Sequence, residues 1–281
     1  GFIEKYNFSF LPGSGAYVYD QEDSKKGNEG YIILKRRDDY WAKDHKRNRG
    51  QNNFNQIKFI FIEDENQKVI SFVNGDYDMY PWGRAQWWVE KFVPEKYNEI
   101  DKGWIQKVKI FNYLPKGPSG IVFNTQKYPY NDISVRKALA HLFDVDKLNK
   151  RLFFNEYVKT NSYYPMSRYE NPSNPLQYYN PDEAIKLLND AGWSRQQGEK
   201  WLSNNGKQFE IDMYMYSGWD RIHNYFVNDL EAVGIKLNLV VLQSPFEKWM
   251  DKTYTMHYGG WAGTTLPNPE EKFHSKYAEE I

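Results

Sequence analysis

Phe209-Glu-Ile-Asp-Met-Tyr-Met-Tyr216 alternates apolar and polar residues, and Ile235-Lys-Leu-Asn-Leu-Val-Val-Leu242 follows it as a second apolar run. A period of two marks a strand with one buried face. Between the two runs, residues 221–233 have the spacing of a helix that Gly234 ends. Ser244-Pro-Phe-Glu-Lys-Trp249 then predicts a short helix with Ser244 and Glu247 as its capping box, and a further strand runs into Trp261. A β-α-β-α-β order of this kind calls for right-handed crossovers and an α/β lobe.

Toward the N-terminus, Asn180-Pro-Asp-Glu183 combines Asn at a cap, Pro in the first helical position and Glu in the third. Ala184, Leu187, Leu188 and Ala191 form the apolar stripe of that helix. Val135, Leu139 and Leu142 share a face of an earlier helix at 134–143, and another helix is expected at 146–154. Residues 155–179, rich in Tyr, Asn and Pro, make a connection long enough to wrap a surface or serve a function.

Strands are expected at 104–111 and 119–125. Residues 54–62 read as a strand buried on both faces, because Ile57, Phe59 and Phe61 have Ile60 and Ile62 between and beside them. Glu63-Asp-Glu65 opens a helix with Val69, Ile70 and Val73 on one face, closed by Asn74-Gly75. Residues 16–19 and 31–35 are expected to pair as a hairpin with a wide turn. The change of composition across 125–132 places a boundary between two lobes, 1–125 and 126–281, with a hinge near 124–132.

A chain of 281 residues is long enough for two lobes with their own cores. Its 37 basic and 37 acidic residues give a formal net charge of +0, without the electrostatic footprint of a nucleic-acid binder. The absence of cysteine removes disulfides, thiolate metal sites and cysteine nucleophiles. No run approaches the roughly 20 apolar residues of a bilayer span, and the first residues lack a signal-peptide pattern, so the chain reads as a mature or trimmed soluble polypeptide. Aromatic residues make up 18% of it, with 23 Tyr, 17 Phe and 10 Trp. Rings give large contact area at small rotamer cost, which suits a recognition surface as well as a core.

The stretch Tyr254-Thr-Met-His-Tyr-Gly-Gly-Trp-Ala-Gly-Thr-Thr-Leu-Pro-Asn-Pro-Glu270 breaks from a strand into a glycine-punctuated loop. Trp261 there is compatible with a core turn or with a ligand-facing ring, and Tyr80-Pro-Trp82 is compatible with core or cleft. Motifs for zinc, phosphate-loop, dinucleotide and serine-nucleophile chemistry are missing from the sequence. His45, His141, His223, His257 and His274 show no ligand spacing, so no metal and no cofactor is expected. Glu210 and Asp212 lie on one strand face, where a solvated polar side is the plainer reading than a glycosidase pair. No enzymatic role is expected.

Several segments then resemble, in order, the family 5 extracellular solute-binding proteins, the oligopeptide, dipeptide and nickel receptors of ABC importers. Gly13-Ser-Gly-Ala-Tyr17 is similar to their Gly-Thr-Gly-Pro-Tyr signature, and Ile33-Leu-Lys-Arg-Arg-Asp-Asp-Tyr-Trp41 to their strand ending in Tyr-Trp. Val73-Asn-Gly-Asp-Tyr-Asp78 resembles a Gly-Glu-x-Asp element. Val122-Phe-Asn-Thr125, with Pro129, Tyr130, Asp132 and Val135-Arg-Lys-Ala-Leu139, resembles the Phe-Asn block with its Val-Arg-x-Ala-Leu helix. Leu187-Leu-Asn-Asp-Ala-Gly-Trp193 and Gly260-Trp261 complete the series, while residues 47–57 and Asn161-Ser-Tyr-Tyr-Pro165 look closest to the YejA-like branch.

The resemblance implies an α/β fold of periplasmic-binding-protein-like type II (cluster C) lobes, a partial lobe I over 1–125 followed by much of lobe III over 126–281. It also implies an internal fragment of about half the usual length. The implied role is the substrate-binding component of an ABC importer, capturing an oligopeptide or modified peptide in an inter-lobe cleft for a permease in the inner membrane. Such a receptor is a monomer in the periplasm, or outside a Gram-positive cell on a membrane anchor, with no nucleic-acid partner. Its ligand contacts are expected from Trp261, Gly260, Thr264, Thr265, Asn268, Tyr80, Trp82, Asn124 and Tyr164. Where peptide-binding relatives place an Asp after Gly-Trp-x-Gly to pair with the peptide ammonium, this chain has Thr264. Neutral hydrogen bonds from Thr264, Thr265 and Asn268 suit a longer or modified peptide, or a glycan. The alternatives are an oligosaccharide receptor of the same fold, a carbohydrate-active or peptide-cleaving enzyme, and a structural interaction module.

Overall fold

A computed structural model describes residues 13–26, 30–81, 83–112 and 114–277. The chain divides into two compact units, one of residues up to 81 with 97–105, the other of 82–96 with 106–281. The units do not divide at residue 125. The strand that ends at Phe123 pairs within the second unit, and the amide of Asn124 is bound there too, so the expected boundary and the stretch 124–132 fall inside it.

The first unit carries an antiparallel sheet of β1 (Tyr17–Lys25), β2 (Tyr31–Arg36) and β3 (Gln56–Ile60). The expected hairpin is present, running from Tyr17↔Arg36 to Lys25↔Tyr31 with an irregularity between Asp20 and Lys25. Helix α1 (Glu65–Val73) begins where the Asp64 carboxylate accepts the Gln67 amide at 2.8 Å, and a second short helix, α2, spans Asn98–Asp101. Ring contacts join Phe72 to Tyr77 at 5.4 Å and Tyr77 to Tyr80 at 6.1 Å.

Two expectations fail here. β3 pairs with β2 on one edge only, and Phe59 and Phe61 stay about half exposed, so the strand is not buried on both faces. Residues 104–111 form no strand among the described residues. Residues 104 and 105 turn back onto the Glu99 carbonyl, the rest pair with no strand, and Ile110 and Phe111 are 81% and 89% exposed. An extended segment becomes a strand only when a neighbour lies within backbone hydrogen-bonding distance, about 4.8 Å away.

The second unit is built on a four-stranded sheet in the order β4 (Ser119–Phe123), β10 (Met256–Gly260), β8 (Glu210–Tyr216), β9 (Lys236–Leu242). The last three are mutually parallel, and β4 runs antiparallel to β10. Parallel neighbours require a crossover. α6 (Asp220–Ala232) supplies it between β8 and β9, and α7 (Phe246–Met250) lies between β9 and β10. α3 (Ile133–Leu142), α4 (Val145–Leu152) and α5 (Pro181–Asp190) precede a small sheet of β5 (Ser194–Arg195), β6 (Leu202–Asn204) and β7 (Lys207–Gln208). A last short helix, α8, spans Glu270–Phe273.

The alternation of β8 is realised: Ile211, Met213 and Met215 are buried while Asp212 and Tyr214 are half-exposed. They join Leu139 and Leu142 of α3, Leu188 of α5, Leu230 of α6 and Met256 of β10 in one core, with Trp193 stacked on Phe209 at 4.3 Å. Truncating any of these leucines to alanine costs about 2–5 kcal/mol.

Asn180 accepts the Glu183 amide at 3.1 Å as expected of a cap, but its own N–H donates to the His141 carbonyl at 2.9 Å, so the reciprocal half of the box is not made. The box expected at Ser244 and Glu247 is absent because Pro245, already in helical conformation, takes the cap position.

Where β4 begins and β10 ends, two backbones touch. The Trp261 N–H donates to the Pro118 carbonyl at 3.0 Å. A Cβ on Gly117 would sit 1.5 Å from the Trp261 carbonyl oxygen, and one on Gly263 would sit 2.2 Å from that of Pro115. Only hydrogen fits at either place. Gly117→Ala and Gly263→Ala are each expected to lower unfolding stability by about 2 kcal/mol or more in urea titrations. Gly120→Ala, with nothing within 4 Å of its Cβ position, should leave it unchanged or slightly raised.

His223 of α6 is fully buried, beside Trp219, Phe226 and Tyr258, and neither ring nitrogen has a hydrogen-bond partner among the described residues. Desolvation lowers its pKa from 6.5 to about 4, against a smaller opposing pull from Asp220. The unfolded chain therefore binds this proton more readily than the folded one. The associated stability is present above pH 6.5 and is lost as the pH falls toward 4. Urea unfolding at pH 5 should show about 2 kcal/mol less stability from this group than at pH 7, and His223→Phe should remove that slope.

Candidate functional site

The backbone crossing fixes what emerges from the end of β10. Gly260 is its last residue, opposite Ser119, and Trp261 follows, 36% exposed as a residue and so neither core nor fully solvated. Tyr163, from the long irregular span, meets Trp261 edge-on at 5.8 Å and Phe273 edge-on at 4.9 Å. T-shaped pairs of this kind hold rings in defined orientations. Beside them lies a recess lined by Pro115, Lys116, Tyr163, Tyr164, Ser167, Ala262, Gly263, Thr264 and Lys272. It offers about 10 Å³, room for one water-sized group rather than a peptide side chain.

The expected ligand contacts sort themselves by place. Trp261, Gly260, Thr264 and Tyr164 come together around the β10 exit. Thr265 is exposed on the following loop, and Asn268 uses its side-chain oxygen to accept the Glu270 amide at 3.1 Å. Tyr80 lies in the other unit with its hydroxyl on Glu65 at 3.0 Å, and Trp82 lies outside the described residues.

Asn124 is a strut rather than a ligand contact in this arrangement. Its amide donates to the carbonyls of Lys252 at 3.0 Å and Tyr254 at 3.1 Å, and its oxygen accepts the Gln126 N–H at 3.2 Å. It also sits at the opposite end of β10 from Trp261, about 20 Å away along the strand direction by strand rise.

Lys116, Gly117, Lys272 and Phe273 belong to the site and were not singled out by sequence, and Tyr163 was quoted only within the stretch 161–165, not as a contact. Gly117 carried the one readable signal, a Lys-Gly-Pro run just before a strand; the others depend on long-range packing. The carboxylates weighed for catalysis serve structure: Glu210 accepts from Lys236 and from Asn238 at 2.7 Å each, and Asn238 also reaches Asp212 at 2.8 Å. The Lys236 ammonium and the Asn238 amide hold the Glu210 carboxyl below its usual range. Among the described residues no group of three or more His, Cys, Asp or Glu side chains is arranged to hold a metal ion, and no helix is long and apolar enough to cross a membrane.

The family model for bacterial extracellular solute-binding proteins, family 5 Middle, matches residues 2–279. An uncharacterized protein, YejA of Escherichia coli strain K12, is 25% identical over 242 residues, covering 74% of this chain and 40% of that one. The probable peptide-binding protein YejA of Agrobacterium fabrum is 22% identical over 280 residues, covering 85% and 45%. Among solved structures, NikA from Brucella suis in complex with Fe(III)-EDTA superposes with a TM-score of 0.69 at 20% identity, over 90% of this chain and 48% of that one. AppA from Bacillus subtilis in complex with a nonapeptide gives 0.65 at 20% identity, over 93% and 49%. The chain thus spans less than half the length of these proteins, and the structural likeness confirms the α/β fold expected of the family. On the match of its family model across nearly the whole sequence, the chain belongs to the family 5 bacterial extracellular solute-binding proteins.

Proposed function

We propose that this chain is part of the substrate-binding component of an ABC importer, which captures an oligopeptide or modified peptide and delivers it to a membrane permease. The observation that carries the reading is the Trp261 loop. A glycine-locked crossing presents an aromatic group, half-exposed and braced by Tyr163, at the C-terminal end of a parallel strand. Ligands of open α/β sheets bind outside the carboxyl ends of their strands. The relative from Agrobacterium fabrum carries a peptide-binding name, and AppA was solved with a nonapeptide, which supports peptide as the ligand class.

Capture takes place in the periplasm, or at the outer face of a Gram-positive cell, with the receptor working as a monomer. Gly260 and Trp261 supply backbone and ring surface, while Thr264, Thr265 and Tyr164 supply neutral hydrogen bonds.

Intrinsic tryptophan fluorescence titrated with peptides and with oligosaccharides tests this reading. Saturable change with peptides is expected, with at least a tenfold loss of affinity in Trp261→Ala, as buried aromatic anchors dominate binding energy. A response to oligosaccharides alone would transfer the ligand class to glycans. Product formation abolished by one carboxylate substitution would replace the receptor reading with an enzyme.

A further inference from the structure

We propose that the recess beside Trp261 is an oxyanion subsite, which takes a carboxylate or phosphate group carried by the ligand between the ammonium groups of Lys116 and Lys272. The proposal rests on the receptor reading above and adds to it the charge of the group that the site takes.

The lining supplies the argument. Lys116 arrives on the segment that leads into β4 and Lys272 on α8, so two distant parts of the chain place solvent-exposed lysines in the lining of one recess. The residues lining it include no carboxylate. Neither lysine has an ion-pair partner among the described residues. The contrast with Lys276 is informative, because that residue, four positions on and past the end of α8, pairs with Glu270 and takes this acid for itself.

The neutral groups point the same way. Ser167 is committed, donating to the Tyr164 carbonyl at 2.8 Å and accepting the Tyr169 N–H at 3.1 Å. The hydroxyls of Tyr163, Tyr164 and Thr264 have no partner among the described residues, so each is available to donate. Two ammonium groups with uncommitted hydroxyls form a donor set that matches an oxyanion, whose oxygens accept only. A ligand ammonium would face two like charges with no acceptor of opposite sign. The 10 Å³ of room admits one oxygen of such a group, with the remainder of the group outside the recess.

The test uses the ¹⁵N-labelled chain titrated with sodium phosphate and with sodium acetate, against sodium chloride at equal ionic strength. Saturable shifts at the amides of Tyr164, Gly263 and Thr264 are expected with an oxyanion and not with chloride. They should weaken at least tenfold in Lys116→Met and Lys272→Met and survive in Lys116→Arg and Lys272→Arg. Saturation by acetate alone assigns the subsite to carboxylates, by phosphate alone to phosphate esters, and either supports the proposal. Saturation by neither anion, or shifts unchanged in both methionine variants, overturns it.

A matched pair, N-acetyl-trialanine with a free acid or a carboxamide terminus, connects the subsite to capture. At least tenfold tighter binding of the acid, lost in Lys272→Met, is expected; equal binding of the two overturns the proposal and leaves the receptor reading standing. Oxyanion saturation of the recess without binding of any peptide or oligosaccharide would sink the receptor reading and leave the subsite.

Discussion

The second unit depends on a contact that no side chain makes. At the junction of β4 and β10 the backbone of 115–118 lies against that of 261–263, close enough that Gly117 and Gly263 have no space for a Cβ, and the Trp261 N–H closes the contact on Pro118. Van der Waals exclusion at this range admits no gradual adjustment, since interiors are packed as tightly as organic crystals. The crossing therefore sets both the start of the outer antiparallel strand and the direction in which the chain leaves the sheet. The indole follows directly from it, and Pro115, Lys116 and Gly263 of the recess lining lie at it.

The remainder of the unit supplies the rigidity that makes such a constraint useful. β10 is flanked on one side by β8 and on the other by β4, so the loop after it grows from the interior of a sheet rather than an edge. Met256 at the start of β10 is fully buried in the core that α3, α5 and α6 share. Asn124 ties the far end of β4 to the turn before β10 through its side-chain amide, on the Lys252 and Tyr254 carbonyls, and its backbone N–H, on that of Thr255. A binding surface held at both ends of one strand loses little freedom when ligand arrives, which is how preorganisation raises affinity.

Much of this was legible in the sequence because local rules were obeyed. The alternation of β8, the helical spacing of α6 and the order of elements to β10 gave the α/β lobe, and Asp64 and Asn180 cap helices near where their residue types predict. Expectations failed where a local pattern depends on something distant. Apolar residues on both faces of β3 encode a preference for burial but cannot name what covers them, and Phe59 and Phe61 remain half-exposed. Residues 104–111 have strand composition without a strand beside them. Ser244 and Glu247 have capping chemistry, displaced by Pro245. In the site, the glycine loop and its tryptophan were visible as a motif, whereas Lys116 and Lys272 reach it only through folding, from segments whose own composition is ordinary, and Tyr163 comes from a Tyr-, Asn- and Pro-rich span whose composition stood out but whose destination only folding decides. Asn124 shows the converse, a residue in a family-like motif whose polar atoms are all taken up by its own chain.

The central claim is that the Trp261 loop is held rigid before any ligand arrives, and native-state hydrogen exchange of single amides tests it most directly. The account predicts that the Trp261 amide, locked onto Pro118, exchanges as slowly as the amides of β10, with an opening free energy near that of global unfolding. Exchange of the Trp261 amide as fast as that of the exposed Thr265 would contradict it.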